Sequence, residues 1–184
     1  MKSFSREARS VRLRPMTQGD EALFHALYTD PETMRFVGAA WTPAEAAKRF
    51  QRILQRGQGS PPADRYLVIV GEVTPDPLGI CGSSHYDPNA MRLELGMMLL
   101  PQGRRLGVGR AALGTLVDYM FRESPAVEVY ARFAAVNRAA GNLMARAGFH
   151  PSPVTGKERH ESATCEWSIF RSEWRMEKSI NSWG

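Results

Sequence analysis

Cysteine is scarce in this chain. It has two, Cys81 and Cys165, far apart and without metal-ligand spacing. That argues against a disulfide framework and a cysteine metal site, and leaves both as small apolar strand residues. No run of about 18 apolar residues occurs, so no membrane-spanning helix is expected. The opening MKSFSREARS holds no apolar stretch of leader type. The expectation is a cytoplasmic protein without membrane association. A concentrated charge block is missing too: the net charge is +5, but the 24 basic residues are spread along the chain. Such spreading suits a local anionic ligand better than a nucleic-acid stripe, and no helix-turn-helix or aromatic RNA motif is recognisable. Nothing like a long linker divides the 184 residues, so one domain over 1–184 is expected. With 43% hydrophobic and 23% charged residues, the composition is that of an ordinary globular protein.

Short apolar segments alternate with helical patterns. SVRLRPMT reads as a half-buried strand through Val11 and Leu13. Thr17 and Asp20 form a T-x-x-D start signal, and Leu23, Phe24, Leu27 and Tyr28 follow at helical spacing up to DPETMRF, which ends that helix. Thr42, Pro43 and Glu45 mark a second start, with Ala46, Phe50, Ile53 and Leu54 on one apolar face. RYLVIVGEV, PLGICGSSHYD and MRLELGMMLL are three strand candidates separated by turn signals, which implies antiparallel pairing. A glycine-rich loop and a helix ending near Phe121 come next, then the strand AVEVYARF. Strand, long helix, strand favours a right-handed parallel crossover. Asn137 caps the helix NRAAGNLMARAGF, Gly148 stops it, and ATCEWSIFRSEW adds a last strand with Trp167, Ile169 and Cys165 on one side. The class is α/β (α+β), a mixed sheet with helices on both faces.

The loop LLPQGRRLGVGRAALG carries the chemistry. Glycine costs up to about 1 kcal/mol relative to alanine inside a helix, so Gly107 and Gly109 flanking Val108 need a reason. The first N–H groups of a helix starting near Gly107 have no intrahelical partner, and its dipole places about half a positive charge there. Glycines at 107 and 109 would let a diphosphate reach those groups, with Arg104, Arg105 and Arg110 adding charge. A loop that merely turns is the other reading of a lone Gly-x-Gly.

RRLGVG, which is R-x-x-G-x-G after PQG and before an apolar helix, resembles the acetyl-CoA pyrophosphate loop of the GNAT acetyltransferase superfamily. VRLRPMTQGDEALFHALYTDPETMRFVG resembles the opening of RimJ/RimL-type members, and LELGMMLLP their E-x-G strand. NRAAGNLMARAGF resembles their N-x-x-S-x-x-L-M-x-K-x-G-F helix, and WSIFRSEW their closing strand. The resemblance implies the GNAT fold: a mostly antiparallel sheet of about seven strands with a central splayed parallel pair. It also implies direct acetyl transfer from acetyl-CoA to an amine, without a metal.

Three tasks follow: deprotonating the amine, stabilising charge on the thioester oxygen, and releasing the thiolate. Glu94, matching the family's glutamate, is the first base candidate, against an outward-facing strand residue; His85 is the second, and could also contact the acceptor or be structural. A glycine inside a strand often marks a bulge, so Gly96 is placed at one. The Met97 N–H is the expected oxyanion donor, with Met98 second. Pantetheine is expected on the backbone of Met97, Met98, Leu99 and Leu100, and pyrophosphate on Arg104, Arg105, Leu106, Gly107, Val108, Gly109 and Arg110. Asn137 would bond pantetheine, cap its helix, or do both. Ala140 stands where RimJ/RimL-type members have serine and Met144 where others have tyrosine, so neither usual thiolate proton donor is present. His25, Trp41 and Glu45 would shape the acceptor site. The acceptor is first a protein or peptide N-terminal amine, then a small amine or amine-bearing antibiotic. A CoA-binding regulatory domain without catalysis is the alternative, and monomer or homodimer are both open.

Overall fold

The computed structural model describes residues 10–57, 65–72, 75–104, 107–152 and 164–174. Its strands are β1 (Val11–Pro15), β2 (Arg65–Gly71), β3 (Pro77–Asp87), β4 (Arg92–Leu99), β5 (Glu128–Ala134), β6 (His150–Pro151) and β7 (Thr164–Phe170). They form one sheet in the order β1-β2-β3-β4-β5-β7-β6, in which only β4 and β5 run parallel. The helices are α1 (Glu21–Tyr28), α2 (Pro31–Met34), α3 (Pro43–Gly57), α4 (Val108–Glu123) and α5 (Arg138–Arg146). Among the described residues no helix is long and apolar enough to cross a membrane.

Strand alternation divides the sheet into two cores. Leu67, Ile69, Cys81, Leu93, Leu95 and Val129 face α4, which buries Leu113, Leu116, Val117 and Met120 against them. Val68, Val70 and Ile80 face the other way, onto Phe24 and Leu27 of α1 and Phe50 of α3. The α3 start is the expected capping box: the Thr42 N–H donates to Glu45 Oε2 at 2.8 Å and the Glu45 N–H to Thr42 Oγ1 at 3.3 Å. Cys81 is buried, and Trp167 and Ile169 pack on the α4 face, as alternation predicts.

α1 ends at Tyr28, just before DPETMRF, as expected, and inside that stretch Asp30 accepts the Thr33 N–H at 2.8 Å and caps a separate short helix, α2. One expectation is corrected. The bulge is not at Gly96, whose pairing with Gly82 lies in an unbroken register from Gly79↔Leu99 to Ser84↔Glu94. It sits in β3 between Ser84 and Asp87. There Asp87 Oδ1 accepts the Asn89 and Ala90 N–H groups at 2.9 and 3.2 Å, fixing the turn into β4. The extra residue is absorbed at His85, held at φ 51°. Gly96 leaves open space, with nothing within 4 Å of where a Cβ would stand.

Asp20 anchors the turn before α1. It is 6% exposed and accepts from Arg14 at 2.6 and 2.8 Å and from the Thr17 N–H at 2.8 Å. The Arg14 hydrogen bonds, ahead of those from Thr17, hold its carboxyl below the usual carboxylate range. A lowered pKa means stability that is present above the unfolded value and lost as pH falls through the folded one. Asp20→Asn is therefore expected to lower stability at pH 7 by about 2 kcal/mol, below the cost of breaking a fully buried pair because the Arg14 side chain is 42% exposed. Denaturant unfolding from pH 7 to pH 3 checks this: the gap between mutant and wild type should close on acidification.

Candidate active site at the splayed strand pair

The parallel register of β4 and β5 covers three pairs, Arg92↔Glu128, Leu93↔Val129 and Glu94↔Tyr130. Beyond them β4 continues to Leu99 and β5 to Ala134, so the strands part and leave a wedge. The Leu100 N–H donates to the Leu78 carbonyl at 2.9 Å. Backbone groups alternate sides along a strand, so Met98 and Gly96 also face β3, while Met97 and Leu99 face the wedge. Their side chains are engaged elsewhere: Met97 and Leu99 pack on the α4 core, Met98 and Leu100 on the α1 core. The wedge edge of β4 is thus backbone.

At the end of β4 the chain turns through residues 101–103. Gly103 has a reason of its own, because a Cβ there would lie 2.4 Å from the Leu78 carbonyl oxygen. Gly107 is the N-cap of α4 at φ 81°, in the left-handed region that favours glycine, and no described residue lies within 4 Å of where its Cβ would stand. Among the described residues no side chain caps α4, and no acidic residue occupies its first turn. Among the described residues, the Ala111 N–H is the first to find an intrahelical acceptor, the Gly107 carbonyl at 3.0 Å. Those of Val108, Gly109 and Arg110 precede it and have no intrahelical acceptor among the described residues. A Cβ at Gly109 would stand 3.5 Å from the Leu99 side chain, an ordinary van der Waals contact, so packing does not require glycine there. Arg104 is exposed and reaches back along the chain, its Nε donating to the Leu99 carbonyl at 3.0 Å. Arg105 and Leu106 lie outside the described residues.

At the apex of the wedge, Glu94 and His85 meet: Nδ1 of His85 lies 3.4 Å from Glu94 Oε2 and 3.0 Å from Ser84 Oγ. Arg132 of β5 forks onto the same carboxylate, Nε to Oε1 at 3.1 Å and Nη2 to Oε2 at 2.6 Å. Tyr130 is paired with Glu94 across the strands; burial first, then the Glu94 charge, pushes its hydroxyl pKa up. Arg132 and Tyr130 were not among the sequence candidates. On the same face Arg92 bridges Glu128 at 2.6 Å and Glu166 at 2.7 Å.

Over the α1 core, Trp41 stacks on Tyr28 with ring centroids 4.4 Å apart and an interplanar angle of 11°. Arg49 lies 4.4 Å from the centre of its ring. His25 is partly buried, and its Nε2 has no hydrogen-bond partner among the described residues. Asn137 caps α5, its side chain accepting the Ala140 N–H at 3.2 Å. Met144 is buried in the α4 core. Cys81, paired with Met97, is sealed in the same core, and burial pushes its thiol up to about 12. A thiol held protonated is a poor nucleophile. Among the described residues no group of His, Cys, Asp and Glu could hold a metal ion.

The family model for the acetyltransferase (GNAT) domain matches residues 10–150. The fold is similar to that of spermidine N-acetyltransferase from Vibrio cholerae in complex with CoA and spermine (TM-score 0.77, 16% identity, 90% of this chain and 98% of that one). It is also similar to an acetyltransferase (GNAT family) from Bacillus anthracis (TM-score 0.73, 13% identity, 91% of this chain and 98% of that one). No curated protein matches the sequence.

Proposed function

We propose, on the premise that this chain belongs to the GNAT acetyltransferase family, that its wedge holds the pantetheine arm of acetyl-CoA while an amine takes the acetyl group directly. The enzyme is an acetyl-CoA-dependent N-acetyltransferase. The observation that carries the site assignment is the end of the parallel register at Glu94↔Tyr130. It turns the Met97 and Leu99 backbone into an open edge that leads to the uncapped start of α4 at Gly107. The residues fit the donor: Val108, Gly109 and Arg110 N–H groups and the Arg104 and Arg110 guanidiniums for the pyrophosphate, backbone for the arm. Acetyl-CoA supplies an activated acyl group; the chain's residues position it and move protons.

The Met97 N–H faces the wedge and is assigned as donor to the thioester oxygen as charge develops there. His85 and Glu94 act as a pair. Both Glu94 oxygens already accept from Arg132, so Glu94 holds the imidazole through Nδ1–H and steadies its charged form, leaving Nε2 to take the amine's proton directly or through water. The left-handed backbone at His85 is the strain expected where a side chain is aimed for a task. With Cys81 protonated and buried, no acyl-enzyme route is invoked. Asn137 Nδ2–H is assigned to the pantetheine amide, its Oδ1 being used by the helix cap.

The RimJ/RimL resemblance favours a protein or peptide N-terminal amine as acceptor, reached past His25 and Trp41. A small cationic amine is the second reading. It is favoured by a cavity of about 410 Å³ on the Glu94 face of the sheet, lined by Glu128, Glu166 and Glu173 with Arg92 and His150. The spermine held by the Vibrio neighbour points the same way. Competition between N-terminal peptides and di- and polyamines, read as acetylated product by mass spectrometry, decides between them.

Ala140 and Met144 leave the departing thiolate without a neighbouring hydroxyl on α5. Ala140→Ser is expected to raise turnover modestly, about twofold, with acetyl-CoA affinity unchanged, because a hydroxyl there acts on charge that develops only as sulfur leaves. Turnover and affinity measured on both proteins check this. A folded mutant that loses affinity would withdraw α5 from the thioester.

A further inference from the structure

We infer that Thr33, far from the glycine loop in sequence, is a positioning residue for the donor: it fixes the Arg104 guanidinium at the mouth of the wedge. The inference rests on the reading that this loop takes the pyrophosphate of acetyl-CoA. Thr33 lies on α2, where its N–H and its hydroxyl both donate to Asp30 Oδ2. The hydroxyl proton is therefore spent on Asp30, and the oxygen's lone pairs point outward. Arg104 Nη2 donates to that oxygen at 2.6 Å, while its Nε donates to the Leu99 carbonyl at 3.0 Å. Leu99 faces the wedge, so the guanidinium is pinned between α2 and the open edge of β4. A guanidinium has five N–H donors; beyond these two contacts, the others have no partner among the described residues and can serve an anion.

The consequence is preorganisation. A long exposed arginine otherwise samples many rotamers and loses that freedom on binding. The Asp30 carboxyl is held below its usual range, by the Thr33 hydrogen bonds first and by the Arg104 charge last. It stays ionised at neutral pH and keeps the hydroxyl turned. The same chain of contacts joins the segment before Trp41 to the donor loop.

The test is acetyl-CoA binding by calorimetry for wild type, Thr33→Val, Thr33→Ser, Arg104→Met and the Thr33→Val/Arg104→Met double mutant. Steady-state kinetics are run alongside with acetyl-CoA and with S-acetylpantetheine, which lacks the pyrophosphate. Thr33→Val keeps the backbone N–H cap of α2. It should weaken acetyl-CoA about five- to tenfold, raising KM with kcat nearly constant. Serine should restore affinity, the double mutant should match Arg104→Met, and S-acetylpantetheine should show no Thr33 effect. Arg104→Met impaired with Thr33→Val at wild-type affinity would overturn the inference and leave the loop reading standing. So would equal losses with both donors, or Thr33 and Arg104 effects that multiply. Wild-type affinity in Arg104→Met would remove Arg104 from the donor site and this inference with it.

Discussion

Gly107→Glu is expected to abolish detectable acetyl-CoA binding in a protein that still folds. A ligand at 100 times its dissociation constant stabilises the folded state by about 2.7 kcal/mol, which reads as a clear rise in Tm. The mutant should show no rise. Two effects combine at this position. Any L residue at φ 81° carries a backbone cost of about 1–2 kcal/mol, and glutamate sets a carboxylate at the positive end of α4, where the pyrophosphate charge is assigned. Gly107→Asn separates them, because asparagine tolerates the left-handed region and carries no charge. Asparagine should keep most of the ligand-induced shift at a modestly lower Tm. A full shift in the glutamate mutant would remove the pyrophosphate from this helix terminus.

The second large effect concerns the apex of the wedge. Glu94→Gln is expected to lower turnover by roughly 10²-fold near neutral pH, with acetyl-CoA affinity retained. The amide still accepts from Arg132 but no longer steadies a charged imidazole. Activity should partly return at high pH, where more of the amine is already neutral. His85→Gln should cost about as much, and the double mutant little more than either, because residues that act as a unit are not additive. Wild-type rates from both single mutants across the pH range would assign the proton to solvent.

What could be read from the sequence was local. The Thr42–Glu45 capping box, the Thr17–Asp20 turn and the stop at Gly148 each involve residues within one turn, and the structure reproduces them. The α4 loop was legible for the same reason: glycine placement reports backbone needs directly. The end of α1 at DPETMRF was legible as well, whereas α2 was not, because it is a single four-residue turn started by the Asp30 cap and Pro31. The bulge was misplaced because glycine at 96 answers to open space, whereas the register slip is imposed by the Asp87 turn. Arg132 and Thr33 were invisible for a different reason. Arg132 meets Glu94 from 38 residues away, and Thr33 meets Arg104 from 71. Such pairs are set by sheet register and helix docking, which no local pattern encodes.

Direct transfer at the wedge is tested most directly by following free CoA thiol and acetylated amine together, with purified protein and a panel of primary amines. The predicted result is one thiol released per amine acetylated, only when acetyl-CoA and an accepted amine are both present, with no acetyl left on the protein after gel filtration. Tight acetyl-CoA binding with no thiol release for any peptide, polyamine or small amine would contradict it and leave a CoA-binding domain without catalysis.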